Sequence, residues 1–256
     1  MISTVAGFIT KVKHEYELWN SPRYVWFRGE PDCDTPLLPS LFRAKQDGSY
    51  HDENKLLQMF RMRAPSFAIG AVPDRKATDQ WLFLAQHVGV PTRLLDWTEN
   101  ALLGLYFALK HAKPVVWMLD PMGLNAHAMK RHPSAKSTHI DEFPLTWFRP
   151  PGNVINIGHE NIRGAWEHNR RGIDTPIAVH PTYIHQRMSA QRSVFTVHGK
   201  LQKPLSALAP RGILAKFTIR PSARTQLSQE LKILGIQEAT AFPDLDGLAK
   251  ELNDRY

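Results

Sequence analysis

The chain has almost no cysteine: Cys33 is the one thiol in 256 residues. An intramolecular disulfide is therefore excluded, and the protein is expected in a reducing cytoplasm. Cys33 falls in the loop-like stretch PDCDTP, where an inert thiol is expected rather than a nucleophile. Long hydrophobic runs are missing too, so no membrane span is expected. The beginning, MISTVAGFITKVKHEYELW, has no basic segment ahead of an apolar block and no small-residue cleavage site, which predicts no signal peptide. Basic residues are plentiful but form no block, and the signatures of a zinc finger, a zipper or an RNA-recognition sheet are missing. His127, His132, His139 and His159 share one polar stretch, yet none has helix-borne zinc spacing or a Cys or Glu partner, so no metal is expected.

What is there suffices for one domain spanning residues 1–256: hydrophobic residues make up 43% of the chain, enough to bury a sizeable core. The net charge of +8 favours a polyanionic partner or substrate without identifying one, because the charge is dispersed.

The stretch around which the rest arranges itself is WLFLAQHVGVPTRLLDWTENALLGLYFALK, from Trp81 to Lys110. Trp81, Leu82, Leu84, Ala85 and Val88 make an apolar stripe at helical spacing that stops before Gly89 and Pro91. Leu94 and Leu95 suit a short buried segment. A second helix, apolar from Ala101 to Leu109, opens at Asp96 or Thr98, both good N-cap types. Gln86, His87, Thr92, Arg93, Asp96 and Thr98 crowd the joint between the two helices. Either they cap and satisfy backbone there, or Arg93 and the helix N-terminus face a pocket that holds an anion such as a pyrophosphate.

Before this stretch, apolar spacing predicts a helix from Val5 to Trp19, a strand from Tyr24 to Phe27 that presents Arg28 and Gly29 at its end, and a helix over ENKLLQMFRMRAPSF whose Met and Phe residues belong to the core. After it, PVVWMLD (114–120) is the clearest strand, and residues 121–176 read as a polar insertion with short helices near Gly123–Arg131 and Asn161–Arg170. Strands follow at PIAVHP, at Ser193–His198 and in GILAKFTI. A helix capped near Ser222 closes at Gly235, and a final helix starts at Asp244 or Asp246. Helices dominate the first half and strands the second. The fold class is therefore α+β, with mixed, mainly antiparallel sheets and helices.

Four blocks, WFRGE at 26–30, AQHVGVPTRLLDWTENALLGLYFAL at 85–109, QRSVFTVHG at 191–199 and FPDLDGLA at 242–249, resemble the FRG-domain family, whose tripeptide is Phe27-Arg28-Gly29 here. More distantly, the order of blocks is similar to the ADP-ribosyltransferase fold. That likeness implies NAD as substrate, with Arg28 beside the nucleotide and Thr98 at a strand end leading into a helix. The chain departs from it where a catalytic glutamate belongs, because Gln191 stands there and Glu238 is the nearest later carboxylate. The resemblance thus implies an NAD-dependent transferase or glycohydrolase of toxin or defence type, acting on a protein or nucleic-acid acceptor. Its site would comprise Arg28, Gly29, Thr92, Arg93, Asp96 and Thr98 for the nucleotide, with Gln191 and Glu238 at the reacting ribose. A glutamine can hold a ribose hydroxyl but cannot neutralise an oxocarbenium. The alternative is a basic module without catalysis that binds nucleic acid or a protein partner.

Overall fold

The computed structural model describes residues 1–30, 32–67, 72–75, 77–131, 145–146, 174–181, 183 and 185–255. Seven strands form one sheet in the order β4-β5-β6-β2-β1-β3-β7: β1 (Trp26–Glu30), β2 (Leu94–Thr98), β3 (Val115–Leu119), β4 (Leu145–Thr146), β5 (Ile177–His180), β6 (Ser193–Val197) and β7 (Leu214–Thr218). All neighbours run antiparallel except β4, which joins β5 in parallel. The helices are α1 (Val5–Leu18), α2 (Glu53–Arg63), α3 (Thr78–His87), α4 (Ala101–Leu109), α5 (Pro121–Arg131), α6 (Gln186–Ala190), α7 (Leu205–Leu208), α8 (Arg224–Ile233), α9 (Glu238–Ala241) and α10 (Leu245–Arg255). The α+β class with a mainly antiparallel sheet is as the sequence predicts.

Side chains on a strand alternate between faces, so a sheet covered on both sides needs apolar residues at consecutive positions. WFRGE, LLDWT and VVWML meet this need. Phe27, Val116, Met118 and Phe217 pack with Phe8 of α1, Leu105 of α4 and Leu227 of α8 on one face. Trp26, Leu95, Trp97, Leu119 and Val194 pack with Leu37, Leu124 of α5 and Leu205 on the other. Each fully buried large side chain of this kind contributes roughly 1.5–3 kcal/mol.

One place in the sheet is different. β1 meets β3 over five residue pairs, and β2 meets β6 over five, but β1 and β2 share a single register pair, Phe27 with Thr98. Next to that pair Arg28 reaches across, and its Nη1 donates to the Asp96 carbonyl oxygen at 2.6 Å. A guanidinium thus satisfies a backbone acceptor that a longer ladder would have engaged.

Several expectations need correction. β1 begins two residues later than Tyr24, so Arg28 is mid-strand, opposite Trp117, and does not project from a strand end. α4 is capped by neither Asp96 nor Thr98, which lie within β2. Asn100 accepts from the N–H of Leu102 at 2.9 Å and of Leu103 at 3.3 Å, because it is the last residue before the helix and its short side chain folds back on the first turn. α2 buries none of its residues; Met59 and Met62 are exposed, since α2 touches the body along one narrow side. The short helix expected near Gly123–Arg131 is present as α5, whose Leu124 and Ala128 are fully buried and whose Asn125 clasps Ala178 of β5, accepting from its N–H at 2.7 Å and donating to its carbonyl at 3.0 Å. The helix expected at Asn161–Arg170, and His132, His139 and His159, lie outside the described residues.

Candidate functional site

A cleft of about 450 Å³ opens where β1 and β2 part, lined by Arg28, Asp96, Thr98, Gln191 and, among others, Phe107, Lys110 and Arg187. That volume is in the range of small-molecule sites. Strand β1 supplies Arg28 and Gly29, β2 supplies Asp96 and Thr98, the C-terminal end of α4 supplies Phe107 and Lys110, and α6 with its following turn supplies Arg187 and Gln191.

Arg28 is held from two sides. Its Nε donates to Glu30 Oε1 at 2.5 Å, and Nη1 lies 3.6 Å from Asp96 Oδ2. Glu30 is almost fully buried, so it needs this cation. Burial pushes the Asp96 carboxyl up from its ordinary range, while Arg28 and the Gln86 amide favour its ionised form. Asp96 takes the exposed end: its side chain is 53% accessible, and Gln86 Nε2 donates to Oδ2 at 2.6 Å. Gln86 is oriented in turn by the Thr92 hydroxyl, which donates to its Oε1. The side-chain amide of Gln191 donates to the Ala241 carbonyl at 2.9 Å, fixing Gln191 against α9.

The first residue after β1's arginine is there for packing. A Cβ on Gly29 would sit 2.4 Å from the Gly104 carbonyl oxygen and 2.4 Å from the Ala108 nitrogen, so glycine lets β1 rest directly on the α4 backbone.

Two residues expected at the nucleotide do not line the cleft. Arg93 is buried and consumed by structure: Nε donates to Glu53 Oε1 at 2.8 Å, Nη2 pairs with Oε2 of the same carboxylate, and Nη1 donates to the carbonyls of His198 at 3.0 Å and Gly199 at 3.3 Å. It ties α2 to the end of β6. Thr92 donates to Gln86 and accepts from the Leu94 N–H at 3.1 Å, acting behind the cleft wall. The N-terminus of α4 also faces elsewhere, since the cleft meets that helix at Phe107 and Lys110.

Glu238 is likewise not a wall of this cleft. It lines a second, larger hollow of about 940 Å³ with Tyr106, Gln237, Glu251 and Asp254. There it accepts from the Tyr106 hydroxyl and, at 2.6 Å, from Lys110 Nζ. Lys110 borders both hollows, and its ammonium turns toward Glu238. The physical reason is α9: a residue in its first turn faces the adjoining C-terminal end of α4, away from the parting of β1 and β2. Although partial burial opposes it, bonding to Lys110 and Tyr106 leaves the Glu238 carboxyl below its ordinary range.

Arg187 was not anticipated from the sequence. Its guanidinium carbon lies 4.3 Å from the centroid of Phe242, while its Nε is buried with no hydrogen-bond partner among the described residues. His87 stands nearby on the same cleft, its ring 4.5 Å from that of His185. Burial, followed by His185 and Arg187, depresses His87 to about 4, so it is neutral at physiological pH.

Residues 23–115 match the FRG domain. The FRG region runs from just before β1 to the start of β3, so it includes Arg28, Asp96, Thr98 and Lys110 and stops short of Arg187 and Gln191. No curated protein and no solved structure matches the chain.

Elsewhere, Asp32, Cys33 and Asp34 bring three ligand-type atoms together, with Lys113 Nζ 3.5 Å from both carboxylates. Partial desolvation, then Asp34, pushes the Cys33 thiol up. It therefore stays protonated and is a poor nucleophile. Among the described residues no helix is long and apolar enough to cross a membrane.

Proposed function

We propose that the cleft is the active site of an ADP-ribosyltransferase-like enzyme that takes NAD as substrate and transfers ADP-ribose to a protein or nucleic-acid acceptor, in the manner of a toxin or defence protein. The observation that carries this reading is that Arg28, Thr98 and Gln191, drawn from three separate blocks of sequence, line one small cleft.

The carboxylate this chemistry needs is Asp96. When the bond between C1′ of the ribose and the nicotinamide nitrogen breaks, the electron pair leaves on nicotinamide and positive charge develops on the ribose. A fixed negative group in a confined site stabilises that charge. Asp96 faces the cleft, is oriented by Gln86, and lies beside Arg28, whose charge together with the Gln86 bond favours the ionised carboxylate against the burial that raises it. Phe27 and Phe107 supply an apolar wall for the departing ring. The acceptor oxygen or nitrogen then bonds to C1′ and releases its proton to Asp96 or to water. Glycohydrolysis is the same reaction with water as acceptor.

The test is incubation of the full chain with NAD labelled in its adenylate half, with and without lysate protein and nucleic acid. Nicotinamide release is expected, reduced roughly 100-fold or more in Asp96→Asn. If neither nicotinamide nor a labelled acceptor appears, the enzyme reading fails. Salt-steep nucleic-acid binding with NAD ignored would then support the basic binding module.

A further inference from the structure

The cations around the cleft are not equivalent. Arg28 is neutralised by Glu30 and Asp96, and Lys110 by Glu238 at 2.6 Å. His87 is uncharged at physiological pH, and Arg93 is not in the cleft. Arg187 is the exception: among the described residues it has no carboxylate within ion-pairing distance and no hydrogen-bond acceptor, and its Nε is shut off from water. Asp244, Asp96 and Glu238 act on it only at longer range, and burial pulls its affinity for a proton down.

A guanidinium carries five N–H donors in a planar fork, and leaving them unsatisfied in a partly dry site costs stability. A side chain so placed is held by something else. Here it is the Phe242 ring, 4.3 Å away, against which Lys110 Nζ also lies at 4.8 Å. The aromatic face keeps the fork in place without using any of its in-plane donors. The cleft therefore contains a preorganised cation whose two terminal Nη groups have no partner among the described residues, on the α6 side of the cleft.

We propose that Arg187 is the anion anchor of this cleft and takes the pyrophosphate of a dinucleotide, a role that the sequence pattern would give to Arg28 or Arg93. This rests on the nucleotide reading of the cleft and adds its polarity: phosphates lie on the α6 and Phe242 side, and the ribose to be attacked lies at Asp96. Bidentate pairing of guanidinium with phosphate oxygens is the interaction such a fork is shaped for.

Calorimetric titration of the full chain with NAD, inorganic pyrophosphate and nicotinamide riboside, which lacks the phosphates of NAD, tests the assignment. Arg187→Gln is expected to weaken NAD and pyrophosphate roughly 10- to 100-fold, with Arg187→Lys intermediate and the riboside unchanged. The melting temperature of Arg187→Gln should hold or rise, because a binding residue kept at a cost to the free protein is relieved by removal. A structural arginine would lower it. Unaltered NAD and pyrophosphate affinity in Arg187→Gln overturns the anchor while leaving the NAD reading intact. Pyrophosphate binding that depends on Arg187 in a protein that ignores NAD keeps the anchor and rejects NAD. A wild-type protein that binds neither rejects both.

Discussion

The Thr98 hydroxyl donates to the main-chain carbonyl of Gln191 at 2.7 Å and accepts from the Asn100 N–H at 3.0 Å. Two residues 93 positions apart are thereby clasped at the floor of the cleft. The hydroxyl's one proton is used, so Thr98 positions the end of β2 against the turn after α6 and is not free to hold a ligand by donation.

Removing that clasp should cost stability first. Thr98→Val keeps the shape but strands a buried carbonyl and an N–H, and is expected to lower the unfolding free energy by about 1–3 kcal/mol. Thr98→Ser should recover most of it. Urea denaturation of the three proteins measures this, and a Val variant as stable as wild type would show that water replaces the hydroxyl.

Arg93 gives the opposite separation of roles. With its Glu53 partner and two carbonyls left behind in a buried joint, Arg93→Met should destabilise the fold by about 3–5 kcal/mol while NAD affinity per folded molecule stays unchanged. A variant that is stable but has lost NAD binding would return Arg93 to the ligand.

For Gly29 the obstacle is backbone, which cannot swing aside as a side chain can. Gly29→Ala places a Cβ 2.4 Å from two main-chain atoms of α4, so β1 and α4 must separate. We expect a loss of at least about 3 kcal/mol, measured as the denaturation midpoint or as failure to accumulate soluble protein. A wild-type midpoint would mean that α4 slides freely on the sheet.

The extent to which this was legible in the sequence depends on the range of the interactions. The apolar stripe of α3, the strand VVWML and the opening of α10, where Asp244 accepts from the Gly247 N–H at 2.7 Å, follow from local periodicity and caps. The gathering of Arg28, Thr98 and Gln191 was legible only as a resemblance between ordered blocks. What no local pattern carries is the fate of a charge. Arg93 looks like a pocket arginine until Glu53, 40 residues away, is seen to neutralise it. Arg187 looks ordinary within YIHQRMSA until it is seen stacked on Phe242 with no carboxylate paired to it among the described residues. The surroundings of Asp96 and Glu238 were illegible for the same reason: each depends on which cation lies beside it, Arg28 for Asp96 and Lys110 for Glu238.

Glu238 offers a direct check on that reassignment. Because it pairs with Lys110 and Tyr106 in the neighbouring hollow, Glu238→Gln is expected to keep nicotinamide release within about threefold of wild type and to lose about 1–2 kcal/mol of stability, after discount for its partly exposed pair. Collapse of turnover with the melting temperature unchanged would restore Glu238 to catalysis and displace Asp96.

The last prediction concerns acid. His198 is fully buried, its ring 6.3 Å from that of Phe42. Burial, and secondarily the charge of Arg93, hold it at about 3, against an ordinary value near 6.5 in the unfolded chain. Burial alone lowers His180 to about 4. The sign follows from proton counting: between pH 6.5 and the folded values the unfolded chain binds protons that the folded chain refuses, so stability is fully present above about pH 6.5 and falls as the pH drops through that window. Each such histidine contributes a slope of at most about 1.4 kcal/mol per pH unit. His198→Leu, apolar and similar in volume, removes one proton from the difference. Its stability profile between pH 7 and pH 4.5 should be shallower than wild type by up to that amount, read from urea midpoints at each pH. Parallel profiles for the two proteins would show that His198 already takes up its proton in the fold, through an opening to solvent that its burial denies.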